Sequence, residues 1–321
     1  MLTEGQTSMI VTVTLNPARD RFVTVQNFLA GGLNRITRDY SFSGGKGNNV
    51  AEIICRMGFP CVATGFLSGQ TGRSLERSMS EVGVEGAFVY TDGETRTNIK
   101  IMDEKTRVCT ELNEQGPPVT EADTERMERT LCQIVSAGDV VAFSGSVPDG
   151  VPIDIYARLI HSVKNLGAKT ILDADGSLLR EGLRANPDAI KPNIDELSRL
   201  AGGKIRTSEN AVTIIKNLHL AENRMVLLSM GANGAMLFSG NSIWLMDAPN
   251  VSVESTVGAG DAMTAALAIG LACEEREEDI LKNAGAFAAM TIMSKHFERL
   301  SKETVFECLS TIQIRRYDPN G

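Results

Sequence analysis

The sequence predicts an α/β protein with a doubly wound, mostly parallel sheet, and three observations carry that expectation. Strand and helix patterns alternate along most of the chain, a β-branched run opens it, and glycines stand where helices should stop. Alternation of this kind implies right-handed βαβ units, with the sheet covered by helices on both faces. A chain of 321 residues buries the core such a sheet needs without disulfide or metal staples.

Ile10 to Leu15 reads as a buried strand, ended at Asn16-Pro17 because proline cannot continue a central strand. From Asp20 to Phe42 the chain is more polar, with strands at Phe22 to Val25 and Ile36 to Phe42 around a Gly31-Gly32 turn. A glycine-rich turn, Ser43 to Asn49, then enters a helix from Val50 to Met57 that Gly58 closes. Cys61 to Phe66 is a strand and Thr71 to Glu81 a helix. Ala87 to Leu112 is β-rich again: Thr97-Asn98-Ile99-Lys100-Ile101 alternates polar with apolar, and Asp103 to Thr106 makes the turn. The two insertions, at about 20–42 and 87–112, are expected to pair into a small sheet of their own. Such a half-exposed sheet serves as a lid, a dimer interface or both.

Strand and helix then resume, as Asp139 to Phe143 with Pro152 to Leu166, and Lys169 to Leu172 with Ser177 to Leu183. Gly83, Gly138 and Gly167 each follow a helical stretch at the place of a left-handed C-cap. After Asn193 come a short helix, a longer one from Ser208 to His219, the strand Arg224 to Ser229, and apolar stretches at Ala235 to Phe238 and Ser242 to Met246. Helices at Asp261 to Ala272, Glu278 to Ser294 and Lys302 to Ile312 close the chain. No repeat or low-complexity linker divides it, so residues 1–321 read as one domain.

Composition narrows the function. A net charge of −8 argues against a general nucleic-acid or anionic-membrane surface, so an anionic ligand must be met by a local cluster of donors. No apolar run approaches the roughly 20 residues that span a bilayer. Met1 to Ser8 lacks the regions of a signal peptide, and either Met1 or Met9 suits a natural start, so a cytoplasmic protein is expected. The six cysteines make neither a CxxC pair nor a ligand spacing and read as reduced thiols, mostly in apolar surroundings. His161, His219 and His296 follow no metal pattern, which argues against zinc or histidine chemistry.

The chemistry concentrates at two glycine-rich turns. Gly258-Ala259-Gly260-Asp261 precedes a small-residue segment of high helix propensity. Free amides and the dipole at such a helix start suit a transferring phosphoryl group. A carboxylate there competes with phosphate unless it faces the acceptor hydroxyl and takes its proton. On these residues alone Asp261 is equally well a helix cap. The second turn, Gly44-Gly45-Lys46-Gly47 with Asn49, offers close backbone approach, a point charge, and an amide for sugar hydroxyls. It lacks the Walker A spacing, and Gly258/Gly260 lacks the dinucleotide fingerprint.

With these turns the sequence resembles the PfkB, or ribokinase-like, carbohydrate kinases, in the branch of 1-phosphofructokinase and tagatose-6-phosphate kinase. The matching pieces run in order: Leu15-Asn16-Pro17-Ala18 with Asp20, Gly44 to Ala51, Thr95-Arg96-Thr97-Asn98, Ser144 to Pro148, Lys191-Pro192-Asn193 with Glu196, Ser229 with Gly231 and Gly234, and Ser255 to Asp261. The resemblance implies a ribokinase-like fold with a β-lid that also forms a homodimer contact. It implies Asp261 as the base, with the amides of Gly258, Ala259 and Gly260 around the transferring group. Asp20, Asn49, Ser144 and the Gly44-Gly45 backbone would hold the sugar, and Lys46 and Arg96 the phosphate it already carries. Lys191, Asn193, Glu196, Ser229, Gly231, Gly234 and Ser255-Thr256-Val257 would line the nucleotide site. Asn193 and Glu196 would act through water on Mg²⁺, the metal that accompanies ATP, although the pair also fits a capping box. The apolar stretch Ala284 to Phe287 would border the adenine. Arg19, Asn48 and Asp173-Ala174-Asp175-Gly176 depart from the family pattern. The activity implied is ATP-dependent phosphorylation of fructose 1-phosphate, with tagatose 6-phosphate as the alternative substrate and a catalytically inactive sugar-phosphate sensor as an alternative of another class.

Overall fold

The computed structural model describes residues 8–294 and 296–317. The stretch read for a signal peptide and for the natural start therefore lies, but for its last residue and Met9, outside the described residues. In chain order the first half is β1 (Ile10–Thr14), β2 (Ala18–Val25), β3 (Ile36–Gly44), α1 (Lys46–Arg56), β4 (Cys61–Ser68), α2 (Gly69–Glu81), β5 (Glu85–Gly86), β6 (Val89–Thr91), β7 (Thr97–Asp103), β8 (Cys109–Asn113), α3 (Glu121–Ile134) and β9 (Val140–Ser144). The second half is α4 (Ile155–Asn165), β10 (Lys169–Asp173), α5 (Gly176–Gly182), β11 (Ala189–Ile190), α6 (Ile194–Ala201), α7 (Ser208–Asn217), β12 (Met225–Ser229), β13 (Ala235–Ser239), β14 (Ser242–Met246), α8 (Ala259–Ala272), α9 (Glu277–Ile292), α10 (Lys302–Leu309) and β15 (Ile314–Arg316).

The main sheet runs β15-β14-β13-β12-β11-β10-β9-β1-β4-β5, with β6 extending β4. It is parallel from β12 through β5, and the three strands after β12 add antiparallel. Strand side chains alternate between two cores, because successive residues point to opposite faces. In β9, Val140 and Ala142 join the core beneath α1, α8, α9 and α10, while Val141 and Phe143 join the one beneath α3 to α7. Burial on both faces explains why these strands read as continuous apolar runs.

The two polar insertions do pair. They form a separate four-stranded sheet, β3-β2-β7-β8, in which β2 and β7 are parallel and the outer pairs antiparallel. The strand read from Phe22 starts earlier, at Ala18, so Arg19 and Asp20 are sheet residues. Helix α3 receives its start from a capping box in which Thr120 accepts from the Asp123 amide, an N-terminus signal. No helix among the described residues is long and apolar enough to cross a membrane. All six cysteines are free, and Cys109, against the expectation of a core thiol, is exposed because it lies on the edge strand β8.

Candidate active site

A cleft of about 810 Å³ opens where the carboxyl ends of β1, β9, β10 and β11 meet the starts of α1, α6 and α8. The small four-stranded sheet, expected to be a lid, supplies its other wall through Asp20, Asn98, Lys100 and Asn113. Parallel strands ending together beside helix N-termini gather backbone donors in one place, which is why open α/β sheets bind ligands there.

Helix α8 starts from Gly258, whose φ of 84° is left-handed. A Cβ at that position would come within 2.8 Å of the Phe297 ring, so glycine is required on both counts. No side chain caps the helix, and Asp261 in its first turn faces elsewhere: its carboxylate accepts a 2.7 Å hydrogen bond from Asn49 Nδ2. The choice that the residues left open between a cap and a cleft-facing carboxylate therefore falls on the second. Asp261 is only 7% exposed. Burial, reinforced by the nearby charge of Asp173, pushes its carboxyl up to about 6, against the opposing pull of Lys46, the Asn49 bond and Lys191.

Asp173, the last residue of β10, is the hub that the sequence reading did not pick out. Lys46 Nζ lies 3.0 Å from its Oδ1 and Lys191 Nζ 3.4 Å, while Thr264 Oγ1 donates to Oδ2 at 3.1 Å. Burial works against this carboxylate's charge, but the two ammonium groups outweigh it and hold Asp173 below the usual carboxylate range. The same contact, against a burial cost, raises Lys46, helped by Asp261 and by Glu196, whose Oε1 is 3.9 Å away. Two lysine ammonium groups beside uncapped amides form a site for a multiply charged anion.

Across the cleft, Asn98 Nδ2 donates to Asp20 Oδ1 at 2.8 Å, and Lys100 Nζ stands 3.6 Å from Asp20 Oδ2. A Cβ on Gly44 would lie 2.6 Å from the Asp20 carboxyl carbon, so the first glycine of that turn makes room for the carboxylate. Arg96 borders the cleft but is largely committed: it donates to the carbonyls of Asn16 at 2.9 Å, Pro17 at 3.4 Å and Glu114 at 3.1 Å. Burial lowers its guanidinium, opposed by Asp20 and Glu114. Arg19 and Asn48, the two departures beside these turns, have their own settings. Asn48 Nδ2 donates to Gly44 O at 3.1 Å, and the buried Arg19 Nε has no partner among the described residues.

At the α6 end of the cleft, Asn193 and Glu196 form the reciprocal capping box of α6. Asn193 Oδ1 accepts from the Glu196 amide at 2.8 Å, and Glu196 Oε2 from the Asn193 amide at 2.8 Å. Lys191, Asn193, Glu196, Ser229, Val257, Gly258, Gly260 and Ser144 border the cleft with Gly45, Lys46, Asn49 and Asp261. Gly44, Ala259, Gly231, Gly234, Ser255 and Thr256 stand behind that lining, Gly231 and Gly234 at the 3-10 turn after β12. The stretch Ala284 to Phe287 does not border it: α9 buries these residues in the core, where Met246 packs against Gly285. Among the described residues no cluster of three or more His, Cys, Asp or Glu is placed to hold a metal.

With this geometry in place, comparison with known proteins is decisive. The pattern of the pfkB family carbohydrate kinases matches residues 10–301. The chain belongs to the pfkB family. It is 33% identical to the 1-phosphofructokinase of Bacillus subtilis over 96% of this chain and 100% of that one. It is 32% identical to the tagatose-6-phosphate kinase of Staphylococcus epidermidis, over 95% of this chain and 99% of the relative. Its fold superimposes on phosphofructokinase-2 from Escherichia coli in complex with potassium with a TM-score of 0.89 at 25% identity, over 94% of this chain and 98% of the other. The resemblance read from the motifs is thus borne out, and as a pfkB kinase the protein is an ATP-dependent sugar kinase.

Proposed function

We propose that this pfkB kinase transfers the γ-phosphoryl group of Mg·ATP to the 6-hydroxyl of fructose 1-phosphate, giving fructose 1,6-bisphosphate. The observation that carries the reading is Asp261: a buried carboxylate in the first turn of α8, beside uncapped amides, held toward the cleft by Asn49. A base raised to about 6 is ionised at neutral pH yet basic enough to take a hydroxyl proton. The Gly258 to Gly260 amides, with Lys46 and Lys191 beside Asp173, hold the transferring group; Asp20, Asn49, Ser144 and the Gly44-Gly45 backbone hold the sugar hydroxyls; Arg96 closes the wall facing the sugar's own phosphate, a place first expected for Lys46 too, which is instead held on Asp173.

Mg²⁺ suits this donor set as a water-bound ion. Asn193 Oδ1 and Glu196 Oε2 are occupied by helix amides, which leaves Glu196 Oε1 for a coordinated water, and Mg²⁺ retains waters readily when phosphates supply its other ligands. The metal would neutralise charge on the nucleotide. Ser229, Gly231, Gly234 and Ser255 to Val257 lie on the nucleotide side. The chain is taken as one kinase domain over residues 1–321 with lid insertions, working in the cytoplasm beside its ATP supply. Leu29, Leu33, Ile36, Val108 and Leu112, all in the lid sheet or its loops, are exposed, and a homodimer through the lid would cover them.

Coupled ADP release with fructose 1-phosphate and tagatose 6-phosphate tests the reading. A higher kcat/KM for fructose 1-phosphate is expected. Preference for tagatose 6-phosphate would move the chain to its other branch, and no turnover with either sugar phosphate would favour a sensor.

A further inference from the structure

Four cationic side chains border the cleft, and two of them, Lys46 and Arg96, are hydrogen-bonded. Lys191 is ion-paired with Asp173 at 3.4 Å beside Lys46. Lys100 stands apart on the small sheet. Its side chain is 8% exposed, yet its Nζ makes no hydrogen bond among the described residues. Asp20 Oδ2, at 3.6 Å, is beyond hydrogen-bond range, and the Asp20 carboxylate already accepts from Asn98. The Phe22 ring lies 5.1 Å from the ammonium, and Glu111, opposite Lys100 on β8, makes no ion pair with it. An ammonium carries three donors, and here they face the cleft, available to an anion that enters it.

We infer that Lys100 completes its hydrogen bonding on the phosphate monoester of the bound sugar, and so is the residue that makes the kinase demand an already phosphorylated substrate. This rests on the proposed sugar-phosphate activity and adds to it a residue and a cause of selectivity. The register supports the placement. Asn98 and Lys100 follow each other on one face of β7, and Asp20 is paired with Asn98 and Phe22 with Lys100, so the sugar-facing Asp20 and the ammonium stand side by side. Asn113, paired with Asn98 across β8, adds a neutral amide to the same wall. A phosphate seated there leaves the far end of the sugar toward Asn49 and Asp261. A sugar without phosphate forgoes this charge-assisted contact, and that loss is how the pocket discriminates against an analogue lacking the matching group.

The test is steady-state turnover of wild type, K100M and K100R with fructose 1-phosphate and with fructose, read by ADP release. K100M should lower kcat/KM for fructose 1-phosphate about tenfold to a hundredfold more than for fructose, mainly through KM, the range expected for losing a hydrogen bond to a charged group. The KM for ATP should hold, and K100R should recover part of the preference. An unchanged ratio between the two sugars in K100M would overturn the inference while leaving the sugar-phosphate reading intact. A wild type that prefers fructose would overturn both. Should K100M melt below the assay temperature, K100L, which likewise removes every donor, is read in the same way.

Discussion

The two walls of the cleft are built on opposite plans. On the body side, Asp173, Lys46, Lys191 and Thr264 satisfy one another within 3.4 Å, on strand ends and helix starts packed into the two cores. On the lid side the sheet is half exposed, its central pair is the long Asp20–Lys100 contact, and its arginine is held by backbone carbonyls. The difference separates two tasks. Stabilising a charge that exists only during the reaction requires groups fixed beforehand, because reorganising them costs rate. Recognising a charge that the substrate brings with it allows the site to be left incomplete until binding.

Breaking the body side should therefore cost turnover. Asp261→Asn removes the proposed base while keeping the shape, and kcat should fall by about 10² to 10⁴, the usual contribution of a general base; a rate near wild type would take Asp261 out of the mechanism. On the lid, Asp20→Asn should act mainly on KM for the sugar phosphate, raising it about tenfold to a hundredfold with kcat within a few fold. An equal loss of kcat would erase the distinction between the walls.

The pH dependence sharpens the same contrast. In its proposed role Asp261 acts only when ionised, so kcat/KM should fall as pH drops through about 6, and Asp261→Asn should lose that limb. For stability the sign is reversed. A folded value above the unfolded 3.8 means that the fold favours the protonated carboxyl, a contribution present below 3.8 and lost as pH rises through 6. Thermal melts should thus show Asp261→Asn a few degrees more stable than wild type at pH 8, with the gain gone at pH 4. The smallest effect is a control outside both walls: Thr120→Ala removes the cap of α3 and should cost about 1 kcal/mol of stability without altering KM or kcat.

Much of this was legible in the residues, for reasons that differ by site. Both glycine-rich turns announced themselves locally, since their glycines answer to left-handed backbone or close approach, as at Gly258 and Gly44. Asp173 did not, because an acidic residue ending an apolar run looks like any strand terminus until topology brings Lys46 and Lys191 to it. The only sequence signal was its place beside the glycine of Asp175-Gly176, after a parallel strand. Lys100 was hidden in the alternation of its strand, where a polar residue reads as solvent-facing. Strands β5, β6, β11 and β15, of two or three residues each, exist through long-range pairing and carry no periodicity of their own. Ala284 to Phe287 shows the converse: small apolar residues suit a ligand surface and helix packing equally, and here α9 buries them in the core, with Gly285 against Met246 and Ile312.

The position of β1 has a consequence for how the chain reaches this state. It lies between β4 and β9, so Ile10 pairs with Cys61 on one side and with Val140 on the other. On a ribosome, β1, the first of the described strands, must wait for Val140 to be made before its second edge can be closed. Until then Ile-Val-Thr-Val-Thr is an open β-branched edge, the kind of segment that joins neighbouring chains. Synthesis order, and not only final packing, is thus a pressure on this fold, and slow closure of its central sheet is the expected rate limit of folding.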